Sequence, residues 1–169
     1  MINNINLIYP EIFISLSIML LLILGVFKKK NFNFVYNLST ISLVVVVILI
    51  FNHPIETKVS LFNKSYIIDY LSSFMKILTI LSGIFVLTIS SKYLKLYKIF
   101  KIEYPILILS SILGMMVMIS SNDLIVFYIG LELQSLALYV LASFNRDQLK
   151  STEAGLKYFV LSALSSGVL

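Results

Sequence analysis

The 169-residue sequence has no cysteine and a single histidine. The missing cysteine excludes disulfides, thiolate zinc sites and iron–sulfur ligation by this chain. His53 stands before Pro54 in a polar connection, where an isolated imidazole reads as a solvated loop residue rather than a metal ligand. No GxGxxG, Walker A or HExxH run occurs, so the motif forms of dinucleotide, nucleoside triphosphate and zinc-protease sites are absent. Charge is scarce too. Only 12% of residues are Asp, Glu, Lys or Arg, about half the usual share of a globular domain.

What the chain does have is apolar side chains, 59% of the total, with a mean hydropathy of +1.00. They come in long blocks that a soluble domain of this length has no means to bury. The fold class is therefore all-α: a polytopic transmembrane helix bundle. At 1.5 Å of rise per residue, five blocks approach the roughly 30 Å of a hydrocarbon core. They lie at 7–27, 34–52, 67–90, 105–121 and 124–143, with the fourth the shortest. The polar turn Ser120–Asp123 makes the fourth and fifth an antiparallel hairpin. The first block has no basic n-region or A-x-A site and its lysines follow it, so it is expected to remain as a helix rather than be cleaved.

Orientation follows from the basic residues. Lys28, Lys29, Lys30, Lys92, Lys95, Lys98, Lys101, Arg146 and Lys150 fall in alternate connections, and only Lys58 and Lys64 in the others. By the positive-inside rule the first set faces the cytoplasm or matrix and the N-terminus lies outside. The net charge of +5 is thus topological, and no nucleic-acid partner is expected. A sixth block starts near Ala154 and is still apolar at Leu169. From Lys157 onward it provides only about 20 Å of helix, so a truncated sixth helix is expected, from a longer product or a split reading frame.

The conspicuous residue is Glu132, in the middle of the fifth block. Tyr128, Ser135, Tyr139 and Ser143 share its face at spacings of three and four, with Arg146 at the inner end. A carboxylate at the bilayer centre costs about 2.5–3.5 kcal/mol on insertion scales, so such residues face the bundle interior and mark ion or proton paths. A carboxyl able to switch between protonated and charged forms suits a proton relay. Lys157 follows Glu153 by four residues, the favourable order for a surface ion pair; the competing reading turns Lys157 inward toward the Glu132 stripe. Lys76 follows Asp69 by seven residues, which puts both on a shared face and suggests a structural interhelical contact, with a transport role as the competing reading. Glu11, after Pro10, is expected at the interface beside a helix N-terminus. Ser162 with Ser166, and Ala163 with Gly167, suggest close helix packing.

The run DLIVFYIGLELQSLALYVLASFNRDQLKSTEAGLKYFVLSALSSGVL, Asp123–Leu169, resembles the subunit N family (mitochondrial subunit 2) of proton-pumping NADH:quinone oxidoreductase, respiratory complex I. These antiporter-like subunits are also similar to Mrp-type cation/proton antiporters. The carrying patterns are G-x-E-L-x-S-L over Gly130–Leu136 and E-A-x-x-K-Y-F over Glu153–Phe159, while IIDYLSSFMKIL at 67–78 fits the bacterial form. The resemblance implies a fold of about fourteen helices built on two inverted five-helix repeats. Residues 1–103 would be its N-terminal three-helix transmembrane segment. Residues 104–169 would begin the first antiporter-like repeat, with helices four, five and part of six. The resemblance makes Glu132 the proton-path residue and Lys157 a possible partner on that path; the family's later lysines lie beyond this sequence. It implies no redox cofactor bound by this chain, NADH and quinone being used by the whole complex. The implied partners are other complex I membrane subunits and the lipid bilayer, in a bacterial inner membrane or alternatively a mitochondrial one. A non-pumping structural or assembly fragment and an Mrp-type antiporter component are the alternative functions.

Overall fold

The computed structural model describes residues 6–27, 32–52, 58–97 and 101–168. Lys28–Lys30, His53, Pro54, Lys98 and Leu169 lie outside the described residues. Among the described residues six helices form: α1 Tyr9–Phe27, α2 Phe32–Phe51, α3 Tyr70–Leu96, α4 Glu103–Ile119, α5 Leu124–Ala142 and α6 Leu149–Val168. Pro10 is accommodated in the first turn of α1, where its missing N–H has no helical partner to lose. Four helical stretches, Asn6–Phe27, Phe32–Phe51, Tyr70–Leu96 and Leu124–Ala142, are long and apolar enough to cross a membrane. The 17 residues of α4 make it the shortest of the five expected crossings.

Two helices differ from the sequence reading, α3 at both ends, since it also runs on to Leu96 rather than 90, and α6 at its start. The third helix begins at Tyr70 rather than 67, because Tyr66–Ile68 forms strand β2 and pairs antiparallel with β1, Val59–Leu61. The register is Val59 with Ile68, Ser60 with Ile67 and Leu61 with Tyr66. Asp69 then starts α3: its Oδ1 accepts from the Ser72 N–H at 2.8 Å, and Ser72 Oγ accepts from the Asp69 N–H at 2.9 Å. This reciprocal box satisfies two backbone donors that would otherwise lack partners. The second difference is α6, which starts at Leu149 instead of near Ala154. Its first turns therefore carry Lys150, Glu153 and Lys157.

The core lies within α1–α4, where α1 packs on α2 and α4, and α3 on α2 and α4. Ile14, Leu21, Val35, Leu43, Val46, Ile80, Leu87, Leu109, Ile112 and Met116 are essentially inaccessible there. α5 leans chiefly on α4, and α6 on α5. The α4–α5 contact is backbone against backbone. A Cβ added to Gly130 would sit 2.8 Å from Met118 N and 2.9 Å from Gly114 O; one added to Gly114 would sit 2.6 Å from Gln134 N. Only glycine permits that approach.

Connections assigned to one side of the membrane meet one another. On the outer side, Ile67 N–H donates to Ser120 O at 2.8 Å and Asn122 N–H to Ser65 O at 2.9 Å, joining the β-hairpin to the α4–α5 turn. On the inner side, Lys101 Nζ donates to Phe144 O at 3.1 Å, beyond the end of α5, where a cation also favours the helix dipole.

Candidate functional site

At 100° per residue, Glu132 lies about 200° around α5 from Gly130, so it points away from α4. Its Oε1 is buried and has no hydrogen-bond partner among the described residues. Tyr139, two turns further and on the same side, is buried and donates to Ser162 Oγ of α6. The Tyr139 ring also meets Tyr158 edge-on at 4.9 Å and Phe159 at 5.7 Å. Below it, an open groove of about 450 Å³ is lined by Tyr139, Ser143, Arg146, Thr152, Gly155 and Phe159. The predicted stripe thus divides. Tyr139, Ser143 and Arg146 line the α5–α6 groove, while Tyr128 remains 40% exposed. Ser135 Oγ donates to the Glu132 backbone carbonyl rather than to its carboxylate.

Lys157 is not brought to Glu132. Its Nζ lies 2.6 Å from Glu153 Oε1, with side chains 70% and 53% exposed. An exposed pair of this kind contributes at most about 1 kcal/mol. Of the small residues on α6, Ser162 meets Tyr139, whereas Gly167 has no neighbour within 4 Å of an added Cβ. The suggested packing at Gly167 is therefore not formed among the described residues.

A second polar cluster sits at the outer end of the bundle, and here the sequence expectations are corrected. Glu11 is buried, 6% exposed, rather than interfacial, and Lys76 is 3% exposed. Lys76 Nζ bonds Glu11 Oε1 at 2.6 Å and not Asp69, which is engaged as the α3 cap. Tyr66 Oη donates to the same Glu11 oxygen at 2.9 Å and accepts from Lys76 at 3.3 Å. Burial first, and then the Glu11 charge, push the Tyr66 phenol well above the ordinary tyrosine range, so it stays a protonated donor. Sequence reasoning looked for a partner on the same helix. The available signal was depth: Glu11 and Lys76 are opposite charges near the outer ends of two different helices.

A family model described as NADH:quinone oxidoreductase/Mrp antiporter, TM, matches residues 121–169, which contain Glu132 and the whole of α6. NADH-quinone oxidoreductase subunit N of Pelagibacter ubique is 74% identical over 167 residues, covering 99% of this chain and 36% of that protein. The subunit N proteins of Paramagnetospirillum magneticum and Bartonella bacilliformis are 46% and 48% identical, over 95% and 96% of this chain and 33% of each relative. The chain spans about a third of the length of these relatives. A chain of respiratory complex I from Thermus thermophilus with bound aureothin matches with a TM-score of 0.76 at 23% identity, over 94% of this chain and 34% of that one. That likeness fixes the fold: a membrane helix bundle of the complex I type. By sequence, along almost its whole length, the chain belongs to the NADH-quinone oxidoreductase subunit N family.

Proposed function

We propose that this chain forms part of a proton-translocating membrane subunit of a bacterial NADH:quinone oxidoreductase, with Glu132 as a group that takes up and releases the transported proton. The carrying observation is the buried, unpartnered Oε1 of Glu132 on a membrane-spanning helix. A carboxylate left so is costly; a carboxyl that gains and loses a proton, or meets a partner beyond these 169 residues, is not. The side of α5 that carries Glu132 also carries the Tyr139–Ser162 hydroxyl pair, which supplies hydrogen-bonding groups along the same route.

In this reading residues 1–103 are an N-terminal three-helix segment and 104–169 open the first antiporter-like repeat. The chain sits in the bacterial inner membrane against other membrane subunits of the complex. It binds no redox cofactor; NADH and quinone are handled elsewhere in the assembly, and the 169 residues alone do not pump. The matching family description also names Mrp antiporters, but the relatives named above are oxidoreductase subunits, which favours the oxidoreductase reading.

The test is proton pumping per NADH oxidised in vesicles carrying normally assembled complex. Glu132→Gln keeps size and hydrogen bonding but cannot titrate, so it loses most of the pumping; Glu132→Asp retains part. Normal pumping in the glutamine variant refutes the relay role. Lys157→Met in the same assay decides its role: a loss matching Glu132→Gln makes it a path residue, and normal pumping leaves it as the partner of Glu153.

A further inference from the structure

We propose that Glu11, Lys76 and Tyr66 form a second proton-exchange site, reached from the outer face through Ser120 and separate from Glu132. A carboxylate satisfied in full uses both of its oxygens as acceptors. Here Glu11 Oε1 takes both bonds, from Lys76 and Tyr66, while Oε2 is buried without a partner among the described residues. Ser120 Oγ is likewise buried and unpartnered among the described residues, and the Ser120 carbonyl accepts from the N–H of Ile67, the residue after Tyr66, at 2.8 Å. Ser120 also lines an outer pocket of about 370 Å³ together with Lys58, Asp69, Ser72, Ser121 and Asn122. A row of exchangeable hydrogens thus leads from that pocket through Ser120 and Tyr66 to Glu11. On the other side of Lys76 a cavity of about 20 Å³, also bounded by Ser73, has room for one water.

Among the described residues the charged and titratable groups around Glu11 are few. α3 contributes Lys76 and, at its start, the cap Asp69; the hairpin contributes Tyr66, with Lys58 at the pocket; the α4–α5 turn contributes neutral Ser120. α2 presents apolar Leu49 and Ile50. The step is a relay. A hydronium ion in the pocket gives its proton to Ser120 Oγ, Ser120 passes its own to Tyr66 Oη, and Tyr66 passes its own to Glu11. Both hydroxyls are regenerated, so the net change is hydronium plus carboxylate to water plus carboxylic acid. Lys76 remains an ammonium throughout and carries the positive charge left after Glu11 is neutralised. Tyr66 never ionises, consistent with its buried position.

The inference does not rest on the role of Glu132, because its test needs no turnover. Infrared spectra of vesicles holding the protein in its native assembly are recorded as the pH is lowered, in H₂O and D₂O. A protonated-carboxyl band should grow in the parent, shift in D₂O, and be missing by one carboxyl in Glu11→Gln. Should that variant not assemble, Glu11→Asp moves the band to the aspartate position. Ser120→Ala should keep the band and slow its deuterium shift at least tenfold. Spectra unchanged by either Glu11 substitution, or deuterium exchange as fast in Ser120→Ala as in the parent, overturn the proposal.

Discussion

Replacing Lys76 with methionine keeps the aliphatic length of the side chain and removes the cation 2.6 Å from Glu11. Both groups are buried, so the penalty is not screened by water as at a surface. Breaking such a pair from one side costs about 3–5 kcal/mol, because a lone charge is left inside. The variant has one escape, which is to protonate Glu11. With an unfolded glutamate near pKa 4.3, that costs about 1.36 kcal/mol per pH unit above it, or about 3.7 kcal/mol at pH 7. The folded variant then binds one more proton than the unfolded chain. Its stability relative to the parent falls as pH rises, by about 1.4 kcal/mol per unit until the ceiling near 5 kcal/mol is reached. Glu11→Gln has the opposite sign. Its escape is a neutral Lys76, and an unfolded lysine near pKa 10.4 sets the cost at about 4.6 kcal/mol at pH 7, falling by about 1.4 kcal/mol for each unit of rising pH. The double variant buries no charge and should lie within about 1–2 kcal/mol of the parent with little pH dependence. Denaturant unfolding in micelles, run as a four-way cycle from about pH 6 to 8, reads all three. Single-variant penalties below about 1 kcal/mol, the range of exposed pairs, or parallel pH slopes would refute a dehydrated ion pair.

Gly130→Ala puts a methyl against the backbone of Met118 and Gly114; overpacking of about 1–3 kcal/mol outweighs the roughly 1 kcal/mol gained in helix propensity, and an unfolding midpoint equal to the parent's would show that α4 and α5 stand further apart. Asp69→Ala removes the α3 cap and should cost about 1 kcal/mol, while Asp69→Ser recovers most of it; equal loss in both would assign the effect to something other than capping. Reporters fused within 92–101 and 146–150 should read cytoplasmic and one at 56–64 external, and a reversed signal at any of the three would sink the orientation.

The five expected helices were legible because an apolar run is a continuous, local signal: α1, α2, α4 and α5 begin and end within about two residues of the expected bounds. The hairpin was not. Ile67 and Ile68 are as apolar as the helix they precede, and the turn between the strands has no glycine. Instead Phe62, Asn63 and Lys64 take φ of 48°, 53° and 71°, a region non-glycine residues seldom enter. Glu132 was legible because a carboxyl in an apolar run is locally anomalous, and Tyr139 and Ser143 followed by periodicity. The pairing of Lys76 with Glu11 was not, since 65 residues separate them and Asp69 offered a nearer charge on the same helix. The direction in which Tyr139 points, toward Ser162 of α6, likewise depends on packing between helices.

The glycine contact between α4 and α5 also bears on leakage. Where a methyl carbon would strike backbone at 2.6–2.9 Å, a water molecule has no room either, and a file of waters cannot pass between these two helices at that depth. The α4 side of α5 is sealed there by the chain itself. Any hydrated thread that serves Glu132 must then run along the opposite side of the helix, which gives the membrane an insulating wall directly behind that carboxyl.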